Sequence, residues 1–228
     1  MTRLGLGTVQ FGQAYGVSNS RGQVSGLEAQ AILARAAQAG IRLLDTAANY
    51  GEAEQVLAAL DTAPFRIVTK TISVKNGIDA VIARARQSAE RLKADTVLVH
   101  AAADLAEPGL WPALQRLKAE GLFRRIGIST YVVDDPAALA ARFRPDTMQL
   151  PFSLLDQRLL RDGTLARLQE MGVEIHARSL FLQGLLLMAP ESLPAHLRAA
   201  AAHLAGLRAQ LAEAGTTPLA AALGFVLS

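Results

Sequence analysis

Three short apolar segments in the first half of the sequence each end in a polar side chain of a chemically useful type, namely Asp45, Lys70 and His100. Tyr50 follows the first segment, just before Gly51. A lysine at the end of a strand can form a Schiff base with a carbonyl compound, as in aldolases. In parallel α/β proteins, catalytic groups gather on loops at the carboxyl ends of the strands. The repeated pattern therefore predicts a reactive site at one end of a sheet.

Each of these residues also has a structural explanation. An aspartate at the end of a strand often caps the next turn or helix, so the pair formed by Asp45 and Tyr50 is a weak signal by itself. The repetition over three successive strands is what favours a site. His176, within the last predicted strand, is interpreted as a hydrogen-bonded barrel histidine and not as a ligand.

Apolar segments alternate with helix-like segments along the whole sequence, and this alternation must supply the elements that position those side chains. Strands are predicted at residues 3–9, 42–44, 66–69, 96–99, 125–128, 147–150 and 173–177. Helices are predicted at residues 27–39, 52–60, 78–92, 110–120, 136–142, 165–171 and 195–214, and a final helix starts at Pro218 with Thr217 as its cap. Seven βα units in one chain favour an α/β fold of the TIM-type (β/α) barrel class. An eight-stranded barrel needs one more strand, and none is visible before Ser228.

Composition limits the classes of protein that the chain can belong to. Its 228 residues are 51% hydrophobic and 19% charged, which predicts a single domain over residues 1–228. There is no cysteine, and the four histidines lack metal-binding spacing, so no disulfide and no metal site are expected. The net charge of +3 comes from scattered arginines, whereas nucleic-acid binding usually needs a concentrated basic face. Without a membrane-length apolar run or a signal peptide, a soluble cytoplasmic protein is expected, with no membrane partner.

Ordered motifs along the sequence match those of a known family. Asp45 and Tyr50 lie in Asp-Thr-Ala-Ala-Asn-Tyr-Gly, Lys70 in Val-Thr-Lys and His100 in Leu-Val-His. Further matching segments are Leu4-Gly-Leu-Gly-Thr8, Arg125-Ile-Gly-Ile-Ser129, Gln149-Leu-Pro-Phe-Ser-Leu-Leu-Asp156 and Ala177-Arg-Ser-Leu-Phe-Leu-Gln-Gly-Leu-Leu186. Together they span essentially the whole chain, which resembles the aldo-keto reductases. The opening Gly7-Thr-Val-Gln-Phe-Gly12 resembles a bacterial branch of that family often found beside surface-polysaccharide genes.

The resemblance implies a barrel enzyme that reduces an aldehyde or ketone, a sugar-type carbonyl among them, to an alcohol with NADPH, or with NADH. Tyr50 would be the general acid that gives its proton to the carbonyl oxygen as hydride arrives. A free tyrosine has a pKa of about 10 and is a poor match for proton transfer at neutral pH. The ammonium of Lys70 would stabilise the phenolate, and Asp45 would hold that ammonium in place. His100 would hydrogen-bond the substrate oxygen and orient it.

The resemblance also assigns positions that would bind the cofactor, namely Thr8, Ser129, Gln149, Arg178, Ser179, Leu180 and Gly184. Ser129 and Gln149 would hold the nicotinamide amide, and residues 179–184 would form the loop over the pyrophosphate. Thr8 would lie near the nicotinamide. Arg178 stands where the family commonly has an aromatic residue stacked on the nicotinamide ring, and a guanidinium can also stack on a planar ring.

Three departures from the family pattern bear on function. Thr130 and Ser153 replace frequent asparagines. The segment that would supply the eighth strand and grip the adenosine half of the cofactor would follow Ser228, so we expect a barrel truncated at its C-terminus. The first and seventh strands would then expose edges, which favours self-association into a homo-oligomer.

Three functions remain open at this point. The first is an NAD(P)H-dependent reductase with a small carbonyl compound as its substrate. The second is a non-enzymatic protein of the same fold that has lost full cofactor binding and acts as a binding or regulatory module. The third is Schiff-base chemistry at Lys70, one of only four lysines in the chain.

Overall fold

Seven parallel strands form one curled sheet in the computed structural model, which describes residues 3–228. The strands are β1 (Gly5–Gly7), β2 (Leu43–Asp45), β3 (Arg66–Lys70), β4 (Thr96–Val99), β5 (Arg125–Ser129), β6 (Thr147–Pro151) and β7 (Glu174–Arg178). They pair in sequence order from β1 to β7. Every neighbouring pair is parallel. Asp45 of β2 lies beside Val68 of β3, and Ser129 of β5 lies beside Gln149 of β6. The prediction of a TIM-type arrangement of βα units is therefore confirmed.

Helices follow the strands and cover the outside of the sheet. They are α1 (Val9–Gly12), α2 (Gly26–Gln38), α3 (Ala53–Ala58), α4 (Ile78–Leu92), α5 (Leu110–Ala119), α6 (Pro136–Phe143), α7 (Arg158–Arg161), α8 (Thr164–Glu170), α9 (Ala201–Glu213) and α10 (Pro218–Leu227). Short 3₁₀ segments lie at Val74–Asn76, Ala102–Ala106, Val132–Asp134, Leu182–Leu187, Pro190–Ser192 and Ala195–Ala200. Within residues 3–228, none of these helices has the length and apolar character needed to span a membrane.

The periodicity of α4 and the composition of β4 show why these elements form. Val81, Ala85, Ala89 and Leu92 recur at helical spacing and are buried against the sheet. All four residues of β4 are buried, as expected of a parallel strand covered on both faces. The main core joins the sheet to α2 through α8, while α9 and α10 pack around a second apolar cluster centred on Leu186. The strands are thus held as rigid carriers for the side chains at their ends.

The first strand is shorter than predicted. It ends at Gly7, and the next residue, Thr8, still contacts β2: its backbone N–H and its hydroxyl both donate to the backbone carbonyl of Asp45, each at 2.9 Å. The chain then turns into α1, for which the glycine-rich sequence gave no helical signal. Residues 195–200 were predicted as part of one long helix but form a 3₁₀ segment before α9, and such tighter turns are frequent at helix starts.

Charged side chains close the end of the sheet at which the strands begin. The carboxylate of Glu174 on β7 accepts hydrogen bonds from Arg66 on β3 and contacts Arg125 on β5 at 3.4 Å. His176 lies 2.8 Å from the same carboxylate, which confirms its interpretation as a hydrogen-bonded barrel histidine. These contacts join strands that are not neighbours in the sheet, which is possible only because the sheet is curved. We call this group the floor cluster.

The floor cluster makes stability depend on pH. Hydrogen bonding by Arg66 lowers the pKa of Glu174 from 4.5 to about 2. A carboxyl whose pKa is depressed by folding contributes stability above its unfolded pKa and loses it as pH falls through its folded pKa. The carboxylate is 35% exposed, so we discount the contribution for solvent screening and expect about 1 kcal/mol. The relevant window therefore runs from about pH 4.5 down to about pH 2.

We expect Glu174→Gln to lower the free energy of unfolding by about 1 kcal/mol near neutral pH, and by less than half of that at about pH 3. Urea denaturation at the two pH values measures the difference. Glu120→Gln is the control, because it removes an ion pair with Arg86 whose side chains are 43% and 47% exposed. Such a pair contributes little. An equal loss for Glu174→Gln at both pH values would contradict the assignment.

Candidate active site

Lys70 is the centre of a polar cluster at the carboxyl end of the sheet. Its side chain is only 1% exposed, and its Nζ lies 2.8 and 2.7 Å from the two carboxylate oxygens of Asp45. The ammonium also donates to the backbone carbonyl of Thr46 at 2.9 Å. A buried ammonium must be paired and hydrogen-bonded to remain charged, and this one has both kinds of partner. β2 and β3 are adjacent parallel strands, so their last residues, Asp45 and Lys70, lie close together at the same end of the sheet.

Tyr50 brings a phenol to the same ammonium. Its hydroxyl lies 3.3 Å from Nζ of Lys70, and that nitrogen is 4.8 Å from the centre of the ring. The loop that carries Tyr50 is pressed against α1, since a Cβ on Gly12 would come within 1.8 Å of the Tyr50 carbonyl oxygen. Gly51 has a φ of +53°, and a Cβ there would lie 2.2 Å from the Gly12 carbonyl oxygen. Both glycines are required by this close backbone approach.

His100 completes the group. Its ring meets the Tyr50 ring edge-on, with the centroids 5.8 Å apart and an interplanar angle of 81°. Burial lowers the pKa of His100 below 6.5, and the positive charge of Lys70 lowers it further. The imidazole is therefore neutral at pH 7 and can donate one hydrogen bond. All four residues that the strand ends pointed to, Asp45, Tyr50, Lys70 and His100, are thus brought together.

Gln149 connects the cluster to the opposite side of the sheet. Its Nε2 donates to the Asp45 carboxylate at 2.7 Å, although the two residues are 104 positions apart. Gln149 is 4% exposed and neighbouring Ser129 is 5% exposed. Among residues 3–228, neither the Gln149 side-chain oxygen nor the Ser129 hydroxyl has a hydrogen-bond partner. One acceptor and one group that can donate therefore remain available side by side.

Arg178 stacks on a protein ring. Its guanidinium carbon lies 4.2 Å from the centre of the Tyr131 ring, and its Nη2 donates to the Thr130 carbonyl at 3.1 Å. Arg178 and Tyr131 border a pocket of about 200 Å³ that is also lined by Ser153, Ser179 and Leu182. Tyr131 is 60% exposed and was not predicted as a site residue. Its only signal in the sequence is an aromatic side chain just after the end of β5.

The segment after β7 has an unusual backbone. Ser179, Leu182 and Gln183 have φ angles of 62°, 50° and 58°, a region that non-glycine residues rarely adopt. A Cβ on Gly184 would lie 1.8 Å from the hydroxyl oxygen of Ser18. The carbonyl of Gln183 accepts the backbone N–H of Val17 at 3.0 Å, so this loop and the loop after α1 hold each other. Leu180 and Gly184 both lie within it.

One contact of the cluster could not be found by reading residue types. The Thr46 carbonyl that binds Lys70 is a backbone group, and any residue type would supply it. The backbone N–H and hydroxyl of Thr8 both donate to the Asp45 carbonyl, so Thr8 positions β2, and its place near the nicotinamide stays a prediction. No group of three or more potential metal ligands occurs in the described part of the chain.

Comparison with known proteins shows the family to which the sequence is similar. The sequence matches a model described as the aldo/keto reductase family over residues 3–228. A glyoxal reductase from Bacillus subtilis (strain 168) is 30% identical over 174 residues, which make up 72% of this chain and 62% of that protein. The chain spans little more than half the length of some curated relatives it matches, 54% in one case.

Solved structures show the same fold. A protein from Pseudomonas aeruginosa assigned to the aldo-keto reductases superposes with a TM-score of 0.66 and 28% identity, covering 78% of this chain and 73% of that one. An aldo-keto reductase from Bombyx mori, solved in complex with NADP, gives a TM-score of 0.60 at 22% identity, with coverage of 78% and 62%. At that identity the second similarity bears on the fold alone.

Proposed function

The chain belongs to the aldo/keto reductase family, and we propose that it reduces an aldehyde or ketone to an alcohol with a nicotinamide cofactor. The observation that carries this proposal is the buried Lys70 ammonium, which lies 3.3 Å from the Tyr50 hydroxyl and is clamped by the Asp45 carboxylate. This arrangement places a proton donor beside a fixed positive charge, at the end of a sheet where ligands bind. The Asp45 and Tyr50 partners favour proton transfer over a Schiff base at Lys70, whose nitrogen is fully engaged.

Tyr50, Lys70 and Asp45 carry out the proton transfer of the proposed reaction. When bound, a reduced nicotinamide supplies hydride to the carbonyl carbon. Tyr50 donates its phenolic proton to the carbonyl oxygen, and the resulting phenolate is stabilised by the Lys70 ammonium. Asp45 fixes that ammonium through two short contacts, so the charge needs no reorganisation during the reaction.

His100 orients the substrate. Because its imidazole is neutral at pH 7, it offers one N–H to the substrate oxygen without competing as a stronger acid. The edge-on contact with Tyr50 keeps the two rings side by side, with their centroids 5.8 Å apart. A carbonyl oxygen beside both rings would accept from Tyr50 and His100 together, which fixes its position relative to the proton that it receives.

The chain's residues fit the nicotinamide half of a cofactor. A carboxamide needs one donor for its oxygen and one acceptor for its amine, and the free Ser129 hydroxyl and Gln149 oxygen supply that pair. Ser179, Leu182, Gln183 and Gly184 have left-handed backbone angles, and loops of this kind can form concavities that bind phosphates. Arg178 adds a positive charge beside them. The family resemblance of the sequence favours NADPH, which is our first choice over NADH.

The substrate class follows from the relatives and not from the pocket. The similarity to a glyoxal reductase favours a small aldehyde, and the branch resemblance adds sugar-type carbonyls. We treat residues 1–228 as one domain for this function.

Fluorescence titration of the full-length protein with NADPH, followed by turnover with glyoxal, tests the proposal. We expect saturable binding in the micromolar range and aldehyde-dependent loss of NADPH absorbance. NADH and a sample without aldehyde are the controls. Tight binding without turnover on a panel of aldehydes and ketones would favour the non-enzymatic alternative. Absence of binding at millimolar cofactor would overturn the proposal.

A further inference from the structure

Glu54 is a buried carboxylate that the proposed reaction does not use. It lies in the first turn of α3 and is 1% exposed. Taking a carboxylate out of water is unfavourable unless it is paired and hydrogen-bonded. A carboxylate in this position therefore calls for an explanation beyond packing.

The two oxygens of Glu54 have different partners. Oε2 faces α4, where it accepts from Arg84 at 2.6 Å and from Ser88 at 3.1 Å and lies 3.8 Å from Arg91. Oε1 accepts a single hydrogen bond, from the hydroxyl of Thr69 at 2.7 Å. The first set compensates the charge. The hydrogen bond from Thr69 to Oε1 connects α3 to β3.

That second contact joins the two segments on which the reaction depends. Thr69 directly precedes Lys70, and the two side chains point to opposite faces of β3. Ala53, the residue before Glu54, donates its backbone N–H to the Tyr50 carbonyl at 3.0 Å. The bond between Glu54 and Thr69 thus runs behind the sheet, from the loop that ends in Tyr50 to the strand that ends in Lys70.

We propose that Glu54 is a positioning residue that, through Thr69, sets the separation between the Tyr50 hydroxyl and the Lys70 ammonium; this rests on the proposed function. The close backbone contact between Gly12 and Gly51 already holds the Tyr50 loop against α1. Glu54 holds the same loop from the α4 side, so the phenol is fixed between two supports. A lysine side chain is flexible, and small displacements of reacting groups reduce rates strongly.

Two substitutions separate positioning from stability. Thr69→Val is nearly isosteric and removes the link while Arg84 continues to compensate Glu54. Arg84→Gln weakens the charge compensation but leaves the link to Thr69. Each removes one partner of the same buried carboxylate, so both lower the melting temperature. Only Thr69→Val is expected to lower kcat, by about tenfold, with the KM of the aldehyde and the Kd of NADPH within about twofold of wild type.

Glu54→Gln provides a rescue test. The glutamine oxygen can still accept from Thr69, so kcat should stay within about twofold of wild type although stability falls. Glu54→Leu removes the acceptor and should behave like Thr69→Val. All rates are measured well below the melting temperature of each variant, on protein whose folded fraction is confirmed by circular dichroism.

An NMR measurement that does not depend on turnover tests the positioning role separately from the proposed function. Because the Tyr50 ring lies edge-on to His100, its NMR resonances carry a ring-current shift that reports its position. Tyr50→Phe assigns those resonances. Thr69→Val should shift them and Arg84→Gln should not.

Equal losses of kcat in Thr69→Val and Arg84→Gln, or unchanged kcat and Tyr50 resonances in Thr69→Val, would overturn the positioning role. A wild-type protein that turns over no carbonyl would count against the proposed function, and the NMR comparison would then decide the link by itself.

Discussion

Tyr50→Phe is expected to lower kcat for aldehyde reduction by about a thousandfold, because it removes the only proton donor that lies beside the Lys70 ammonium in the described part of the chain. The ring, its edge-on contact with His100 and the loop that Gly12 and Gly51 hold would all remain. The Kd of NADPH should therefore stay within about twofold of wild type. Stopped-flow or steady-state NADPH oxidation measures the rate, and fluorescence titration measures the binding.

Tyr15→Phe is the matched control for that variant. Tyr15 is 38% exposed, and its side chain makes no hydrogen bond within residues 3–228. The control should keep most of the activity, which shows that the loss in Tyr50→Phe is not a general response to a missing phenol. A Tyr50→Phe protein with more than a tenth of wild-type kcat would exclude Tyr50 as the general acid.

Lys70→Met is expected to lower kcat by at least a hundredfold through a different route, since the phenol remains but its positive partner is lost. The substitution leaves the Asp45 carboxylate with Gln149 as its remaining side-chain partner. It should also raise the pKa of His100 toward its ordinary value, because the charge of Lys70 is one of the causes that lower it. Kinetics and an NMR titration of the imidazole measure the two effects separately.

Lys118→Met controls for the loss of an ion-paired lysine. Its Nζ contacts the Asp146 carboxylate at 2.6 Å, which resembles the pair formed by Lys70, but it lies on α5 and is 39% exposed. We expect full activity and an unchanged His100 titration. If Lys70→Met keeps wild-type kcat, the ammonium has no part in proton transfer and the proposed mechanism is wrong.

The sequence predicted the sheet well because its signals are local. Apolar segments followed by helical periodicity mark each βα unit, and α4 and β4 match the predicted bounds. The chemical types at the strand ends were also local signals, and parallel pairing brings them together. Asp45 and Lys70 were expected just beyond β2 and β3, whereas the structure makes them the last residues of those strands.

Contacts between distant segments could not be predicted in the same way. The stacking of Arg178 on Tyr131 depends on how the loop after β5 folds back, and no periodicity encodes that. The hydrogen bond from Thr69 to Glu54 joins residues that look ordinary on their own elements. The contact of Arg66 with Glu174 depends on the curvature of the sheet.

The floor cluster and the Gln149 contact have a consequence for the way the molecule folds. Arg66 and Glu174 are 108 positions apart, and Gln149 and Asp45 are 104 apart, so both contacts require closure of a very long loop. Non-local parallel pairing is slow to form, because chain entropy is lost before the contacts compensate for it. The Asp45 carboxylate therefore gains its hydrogen bond from Gln149 only when β6 has docked. The contacts of Lys70 with Asp45 and Tyr50 lie within β2, β3 and the loop between them, so they can form earlier, in a partly folded chain that still lacks the Gln149 partner.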